Sequence, residues 1–192
     1  RGEKPGYFAR LDGNGPVFAI ANETVQNLQQ DSLAYLPMDF WKLLPEEIAS
    51  WSVERQGSLF TLERKENAWK ITKPFEADAF LEKLTSVLPV LAAPRAEKYV
   101  EIAIKDPAKF GFDKPLGKLV VTDKEKKQRL LVVGGKVDEK TGLRHARLGE
   151  NGPVALIPKP LGELLEMDAL SLLDPVAFKV DTSSLRKIQS QG

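Results

Sequence analysis

The sequence predicts an α+β fold in which antiparallel hairpin and meander sheets pack against two or three amphipathic helices in each unit of a 137-residue repeat. Three observations predict this fold. A block near the start of the chain recurs near its end, short alternating segments are joined by turn residues, and apolar residues elsewhere recur at helical spacing. Consecutive hairpins with few helices are typical of antiparallel sheets covered by helices.

The repeat is the strongest signal in the sequence. Residues 9–17 read ARLDGNGPV and residues 146–154 read ARLGENGPV, an offset of 137 that holds without a gap to the end of the chain. Over the 49 pairs at this offset there are 13 identities, where ordinary residue frequencies would give roughly three. A period this long corresponds to one small domain. We therefore expect three parts: the second half of a preceding unit (1–50), one complete unit (51–181), and the start of a further unit (182–192).

The first half of the complete unit predicts strands followed by a helix. Alternating apolar residues predict strands over 51–54, 58–64 and 68–72. Residues 77–88 predict a helix, because apolar residues at the spacing of one buried stripe occur there: Phe80, Leu81, Leu84, Val87 and Leu88. We expect Pro89 to end this helix, with the chain then extended over 91–100.

The second half of the unit predicts two more hairpins. Asp106 and Pro107 resemble the N-cap and first residue of a helical turn that Gly111 closes. The hairpins are predicted at 118–122 with 129–133, around a charged tip, and at 143–148 with 154–157. We expect positive φ at the turn Asn151-Gly152. Pro160 is expected to open the last helix.

Composition excludes several classes of protein. The 28 Lys and Arg residues nearly balance the 27 Asp and Glu residues, so no field attracts nucleic acid or an anionic membrane surface. The longest apolar run has seven residues, too few to span a bilayer. Without cysteine and with a single histidine, disulfides and Cys- or multi-His metal sites are excluded. No cofactor, metal ligand or catalytic residue is predicted.

Two charged pairs recur in both copies of the repeat and are the candidate site residues. Arg10 and Asp31 in the first copy correspond to Arg147 and Asp168 in the second. The structural interpretation is an ion pair between strand and helix, which we favour because both copies would need it. The functional alternative is a clamp for a carboxylate or phosphate, to which the planar guanidinium is suited.

Other chemistry-bearing residues favour structural roles. Gly134-Gly135-Lys136 lacks the spacing of a phosphate-binding loop and predicts a turn. His145 has Phe8 as its counterpart in the first copy, which indicates packing rather than catalysis. The three tryptophans lie at apolar phases of their elements, so we expect core anchors instead of a stacking platform for sugars: Trp41, Trp51 and Trp69.

Several motifs in order along the chain resemble the family known as domain of unknown function 4340. They are Trp69-Lys70-Ile71-Thr72-Lys73-Pro74, Phe110-Gly111-Phe112-Asp113-Lys114-Pro115, Leu131-Val132-Val133-Gly134, the hairpin from Ala146 to Val154, and the segment from Leu170 to Asp174. Together they span nearly all of 51–181. Ala68 stands where the family usually has Gly, and Phe110 and Phe112 replace Tyr and Leu. These exchanges preserve hydrophobic character.

The resemblance implies a location but no activity. Members of the family are bacterial envelope proteins with an N-terminal membrane helix and tandem units outside the cytoplasm, and some are encoded beside transport or gliding-motility components. We therefore expect an extracytoplasmic chain anchored to the cytoplasmic membrane by an upstream apolar stretch of ~20 residues. No catalytic residue carries over from the family.

Two functions follow as expectations. The first is a non-enzymatic module of the cell envelope that scaffolds or binds protein partners, with no nucleic-acid partner and membrane contact only through an anchor outside this chain. The alternative is a small-ligand binder or enzyme that uses Arg147 and Asp168 in a cleft. We also expect residues 1–50 to dock on the complete unit, because a hairpin and one helix bury too little surface to be stable alone.

Overall fold

A computed structural model describes residues 6–10, 13–28, 32–66, 68–137 and 140–173. The strands are β1 (Gly6–Arg10), β2 (Val17–Ala21), β3 (Ile48–Arg55), β4 (Ser58–Lys65), β5 (Ala68–Lys73), β6 (Ala77–Asp78), β7 (Lys98–Glu101), β8 (Gly117–Asp123), β9 (Gln128–Lys136), β10 (Arg144–Leu148) and β11 (Val154–Ile157). The α-helices are α1 (Asn22–Leu28), α2 (Leu81–Ala92) and α3 (Lys159–Glu166). Shorter 3₁₀ helices are Ser32–Tyr35, Pro45–Glu47, Pro107–Phe110 and Ala169–Leu172.

The strands form two antiparallel sheets, as the alternating pattern predicted. Strands β1 and β2 make a sheet of their own, and the other nine run in the order β6-β5-β4-β3-β8-β9-β10-β11-β7. Hairpins that follow one another in sequence pair as neighbours. Two pairings join distant segments: β3 with β8, where Trp51 faces Val121, and β11 with β7, where Ala155 faces Tyr99. The α+β fold predicted from the sequence is confirmed.

Apolar side chains pack on both faces of the nine-stranded sheet. The main core includes Leu131 and Val133 of β9 together with apolar residues of α2 and α3, so both helices lie on one face. A smaller cluster contains Val132, the residue between those two, with Phe110, Phe112 and Val154. Because successive side chains of a strand point to opposite faces, this aromatic cluster covers the other face.

The predicted core role of the three tryptophans is confirmed. Their exposed fractions are 7% for Trp41, 1% for Trp51 and 4% for Trp69. Side chains so completely buried present no stacking surface to a sugar, because stacking needs an accessible ring face. The Trp41 indole donates a hydrogen bond to the Leu91 carbonyl at 2.9 Å, which fixes the segment that carries it against helix α2.

The predicted end of helix α2 at Pro89 is wrong. The helix begins at Leu81 rather than residue 77 and continues through Pro89 to Ala92. Proline this near the helix end removes one hydrogen bond, to the carbonyl of Thr85. Burial of Leu91 and Ala92 in the next turn compensates. Residues 77–78 instead pair with β5, and the predicted extended segment 91–100 contains the end of the helix and the start of β7.

The turn of the repeated hairpin also differs from expectation. Positive φ falls on Gly149, at 65°, and not on Asn151 or Gly152. Gly152 is required for space, because a Cβ built there would lie 2.2 Å from the Leu148 carbonyl oxygen. The capped turn at Asp106 is confirmed: its carboxylate accepts the Ala108 N–H at 3.0 Å, and Gly111 closes the turn at φ 73°.

The two copies of the repeat have the same order of elements at the predicted offset. Strand β2 and the 3₁₀ helix Ser32–Tyr35 in the first copy correspond to β11 and the 3₁₀ helix Ala169–Leu172 in the second. Helix α1 likewise corresponds to α3. The predicted unit boundaries at 50 and 181 stay predictions, and the predicted start of a further unit, 182–192, lies outside the described residues.

The first copy docks on the complete unit through residues 33–43, and Leu33, Leu36, Met38 and Leu43 pack against the main core. Phe40 N–H donates to the Pro94 carbonyl at 3.0 Å and Leu43 N–H to the Ala92 carbonyl at 2.8 Å. Phe40 and Trp41 are buried in the main core. The hairpin of β1 and β2, in contrast, forms a separate sheet. No helix in the described part of the chain is long and apolar enough to cross a membrane.

Candidate protein-interaction site

Arg147 is held on the face of the sheet that carries the aromatic cluster. Its guanidinium lies 4.8 Å from the centre of the Phe112 ring, and it pairs with Glu150 at 3.4 Å. The Arg147 side chain is 14% exposed, and its Nε atom is buried without a hydrogen-bond partner. The residue therefore acts as a packing cation over an aromatic ring.

Asp168 caps a short helix and does not meet Arg147. Its carboxylate accepts the Leu170 N–H at 3.1 Å, at the start of the 3₁₀ helix Ala169–Leu172. Asp168 follows α3, which packs on the main-core face, whereas Arg147 points to the opposite face. The sheet thus separates them, which corrects the expected ion pair and removes the common cleft that the enzymatic alternative needed. Asp168 instead borders a pocket of about 370 Å³ that Arg55 also lines.

The first copy of the repeat contains two of the candidate residues, Arg10 and Asp31. Arg10 donates a hydrogen bond to the Gly13 carbonyl at 2.9 Å, within its own hairpin turn. Asp31 lies outside the described residues. Arg10 is exposed, unlike its counterpart Arg147, because the hairpin that carries it is not covered by an aromatic cluster in the described part of the chain.

His145 and the glycines of β9 pack against the segment 110–112, which we call the aromatic loop. The His145 ring meets the Phe110 ring edge-on, with centroids 5.1 Å apart. Burial lowers the pKa of His145, a hydrogen bond with the Gly135 backbone opposes that shift, and the nearby Lys109 charge adds to it. A Cβ built on Gly134 would lie 2.2 Å from the Phe110 carbonyl oxygen, so this glycine admits the loop. Gly134 and Gly135 lie within β9 rather than in a turn, which corrects the sequence prediction.

The hairpin of β1 and β2 exposes large apolar side chains. The exposed fractions are 81% for Phe8, 53% for Phe18, 54% for Val17 and 48% for Tyr7. Cross-strand pairing places Arg10 opposite Val17, Ala9 opposite Phe18 and Phe8 opposite Ala19. Successive side chains of a strand point to opposite faces, so Phe8 and Val17 lie on one face of the hairpin and Tyr7 and Phe18 on the other. Exposed large apolar side chains on both faces of one small sheet are typical of a protein-interaction site.

The complete unit shows how the same surface is covered there. The counterparts of Val17 and Phe18 are Val154 and Ala155, and each is fully buried. Strand β10 pairs with β9 on its outer side, and β11 pairs with β7. In the described part of the chain, the sheet of β1 and β2 has two strands only. The unpaired outer edges of β1 and β2 therefore present backbone groups that can accept further strands.

Sequence reasoning found the hairpin but not its exposure. A partial signal was available in the repeat, because strands β7 and β9 pair with the second hairpin and are not free to pair with the first. The exposure of the first hairpin could not be predicted, because it depends on contacts between residues that are distant in sequence. Among the described residues, no group of three or more His, Cys, Asp or Glu side chains is placed to hold a metal ion.

Comparison with known proteins gives a family and no activity. The family model described as Domain of unknown function (DUF4340) matches residues 1–115 and again residues 69–192. Two overlapping matches that together span the chain agree with a tandem repeat. No curated protein and no solved structure matches the sequence.

Proposed function

Because this chain belongs to the DUF4340 family, whose description assigns no activity, we propose its function from the exposed hairpin: it is a non-enzymatic module of the cell envelope that scaffolds or binds protein through β1 and β2. The observation that carries the proposal is the exposure of Phe8, Val17 and Phe18 beside two open strand edges. Single exposed apolar residues are ordinary, whereas several on the two faces of a small sheet with open edges favour a docking surface.

The chemistry of this surface favours a polypeptide ligand. Arg10 is the one charged residue within β1 and β2, so a highly charged ligand finds little to pair with. Backbone edges recognise another strand through main-chain hydrogen bonds, and apolar side chains on alternate positions add specificity. The proposed partner is therefore a protein segment that adds to the sheet.

The cell-envelope part of the proposal is supported by the family resemblance. Members of the family resemble envelope proteins with tandem units outside the cytoplasmic membrane, and some are encoded beside transport or gliding-motility components. A reporter enzyme that is active only outside the cytoplasm, fused to the natural polypeptide, tests it. Activity in intact cells is expected, and a reporter that stays silent while the fusion accumulates would contradict the location.

The binding role is tested by site-specific photo-crosslinking in cells. A photoreactive phenylalanine derivative replaces Phe8, and the matched control replaces Leu81, an apolar residue on α2 that is 60% exposed. We expect a crosslink from position 8 to another polypeptide segment and none from position 81. Equal labelling from both positions, or no adduct from position 8, would contradict a specific protein-binding surface at the hairpin.

A further inference from the structure

We propose that the occupant of the β1–β2 hairpin is the first half of another unit of this repeat, carried in tandem on the same polypeptide. This inference rests on the proposed function and names the partner of the same site. The occupant supplies two strands of the β7 and β9 type and an aromatic loop of the kind at Phe110–Phe112.

The strand edges give the first argument. In the complete unit, Ala146 of β10 faces Val133 of β9, and Ala155 of β11 faces Tyr99 of β7. The repeat offset places Ala9 in the position of Ala146 and Phe18 in that of Ala155. A strand of the β9 type therefore fits the open edge of β1, and one of the β7 type fits the open edge of β2.

The second argument comes from the face that carries Arg10. In the complete unit, His145 and Arg147 lie against Phe110 and Phe112. The first copy has Phe8 and Arg10 at these two positions. A ring placed over Arg10 would form the same cation–π contact that Arg147 makes. Phe8, which is 81% exposed, would be covered by the same loop.

Side-chain size shows that a related unit fits better than a second copy of this chain. Ala155 is fully buried, so a core matched to alanine would be crowded by Phe18, its counterpart. The partner must therefore have smaller residues around that position. A second copy is disfavoured for another reason: its own β9 and β7 already pair with β10 and β11.

Tandem linkage explains why one hairpin would find one partner. The repeat recurs at a fixed offset of 137 residues along one chain, which makes neighbouring units covalently close. Linkage of that kind raises the effective concentration of one half-unit for the other to about the millimolar range. Short strands that would bind weakly as separate molecules are then held together.

The absence of cysteine from this chain allows a direct test by engineered disulfides. A duplicate of residues 45–143 is joined ahead of residue 7 of the chain, and Phe18→Ala restores the residue of the complete unit. Cysteines are introduced by Ala9→Cys in the hairpin and by Val133→Cys in the duplicate. The register of Ala146 and Val133 places such a pair directly opposite each other on one face, at a separation that suits a disulfide.

We expect mild oxidation to remove both free thiols of the Ala9→Cys fusion within one polypeptide. The matched control carries Phe8→Cys with the same duplicate cysteine, and it should keep its thiols because residue 8 points to the other face. Hydrogen exchange over 6–21 should also slow by roughly tenfold or more relative to the unfused Phe18→Ala chain.

Three outcomes would overturn the inference: free thiols in the Ala9→Cys fusion, equal oxidation in both fusions, or disulfides that join hairpins of two molecules. The last outcome would assign the surface to a second copy. The result is independent of the photo-crosslinking experiment. A crosslink to an unrelated protein without a disulfide would leave the binding role intact and rule out this partner. A disulfide without such a crosslink would support this partner and contradict the binding of a separate protein.

Discussion

Arg129 donates a hydrogen bond to Asp123 at 2.8 Å, and both side chains are largely buried although Asp123 belongs to a predicted charged hairpin tip. The same carboxylate accepts the N–H groups of Glu125 at 3.0 Å and Lys127 at 2.9 Å. Asp123 therefore organises the tip that joins β8 to β9. Since β9 pairs with β10 and carries the glycines beneath the aromatic loop, the order of this tip supports the centre of the sheet.

The first prediction concerns Asp123 and pH. The hydrogen bond from the Arg129 side chain is the main cause that holds the pKa of Asp123 below its ordinary 3.8. Hydrogen bonds from the Lys127 and Glu125 backbone and the charge of Arg129 act in the same direction, and burial opposes them. The folded state therefore prefers the charged carboxylate. The resulting stability is present above pH 3.8 and is lost as pH falls through the folded pKa.

Asp123→Asn should accordingly lower the melting temperature at pH 7, with a difference from the parent chain that shrinks as the solution becomes acidic. Thermal unfolding followed by circular dichroism across pH measures this. Glu125→Gln, at an exposed position of the same tip, is the control and should have little effect. A loss for Asp123→Asn that is constant down to strongly acidic pH would show that packing, not charge, is responsible.

The second prediction concerns His145. Burial, the main cause, lowers the pKa of His145 below 6.5, so the folded state prefers the neutral ring. The stability that follows is present above pH 6.5 and is lost as pH falls towards the folded pKa. His145→Phe introduces the residue that the first copy has at this position, and it should flatten the pH dependence of unfolding between about pH 7.5 and 5. Identical slopes for parent and variant would count against it.

The third prediction uses two adjacent glycines as a matched pair. Gly134→Ala places a methyl group against the Phe110 carbonyl, 2.2 Å away before relaxation, so the aromatic loop must shift. We expect the free energy of unfolding in urea to fall by about 1–3 kcal/mol. Gly135→Ala meets its nearest atom at 3.8 Å and should change stability by less than about 0.5 kcal/mol. Equal effects of the two variants would refute the role given to Gly134.

The fourth prediction compares the two copies of one arginine. Arg147→Gln removes the contact with Phe112, at 4.8 Å from the ring centre, and should lower the free energy of unfolding by about 1 kcal/mol. Arg10→Gln, at the equivalent but exposed position, should have an effect within about 0.5 kcal/mol. Urea unfolding of both variants measures the difference. In the fusion carrying the duplicated half-unit, Arg10→Gln should become as costly as Arg147→Gln.

Local pattern and long-range contact explain which expectations succeeded. Alternating apolar residues and turn residues located the hairpins to within a few residues. They could do so because pairing between two strands adjacent in sequence depends mainly on those strands and the turn that joins them. The prediction that Pro89 ends the helix was wrong because the hydrogen bond lost at proline is outweighed by the burial of Leu91. That burial depends on residues far along the chain. Arg147 and Asp168 recur together, yet recurrence carries no information about which face of the sheet each side chain meets.

The sequence by itself determined the repeat, the antiparallel class of fold, the core role of the tryptophans and the lack of cysteine chemistry, since each depends on residue type and spacing alone. Only the tertiary structure decided that Ala155 is fully buried while Phe18, at the same position of the repeat, is 53% exposed. The two hairpins have similar sequences, but burial requires partner strands. Strands β7 and β9 are distant from each other along the chain, and they can pair with only one of the two hairpins at a time.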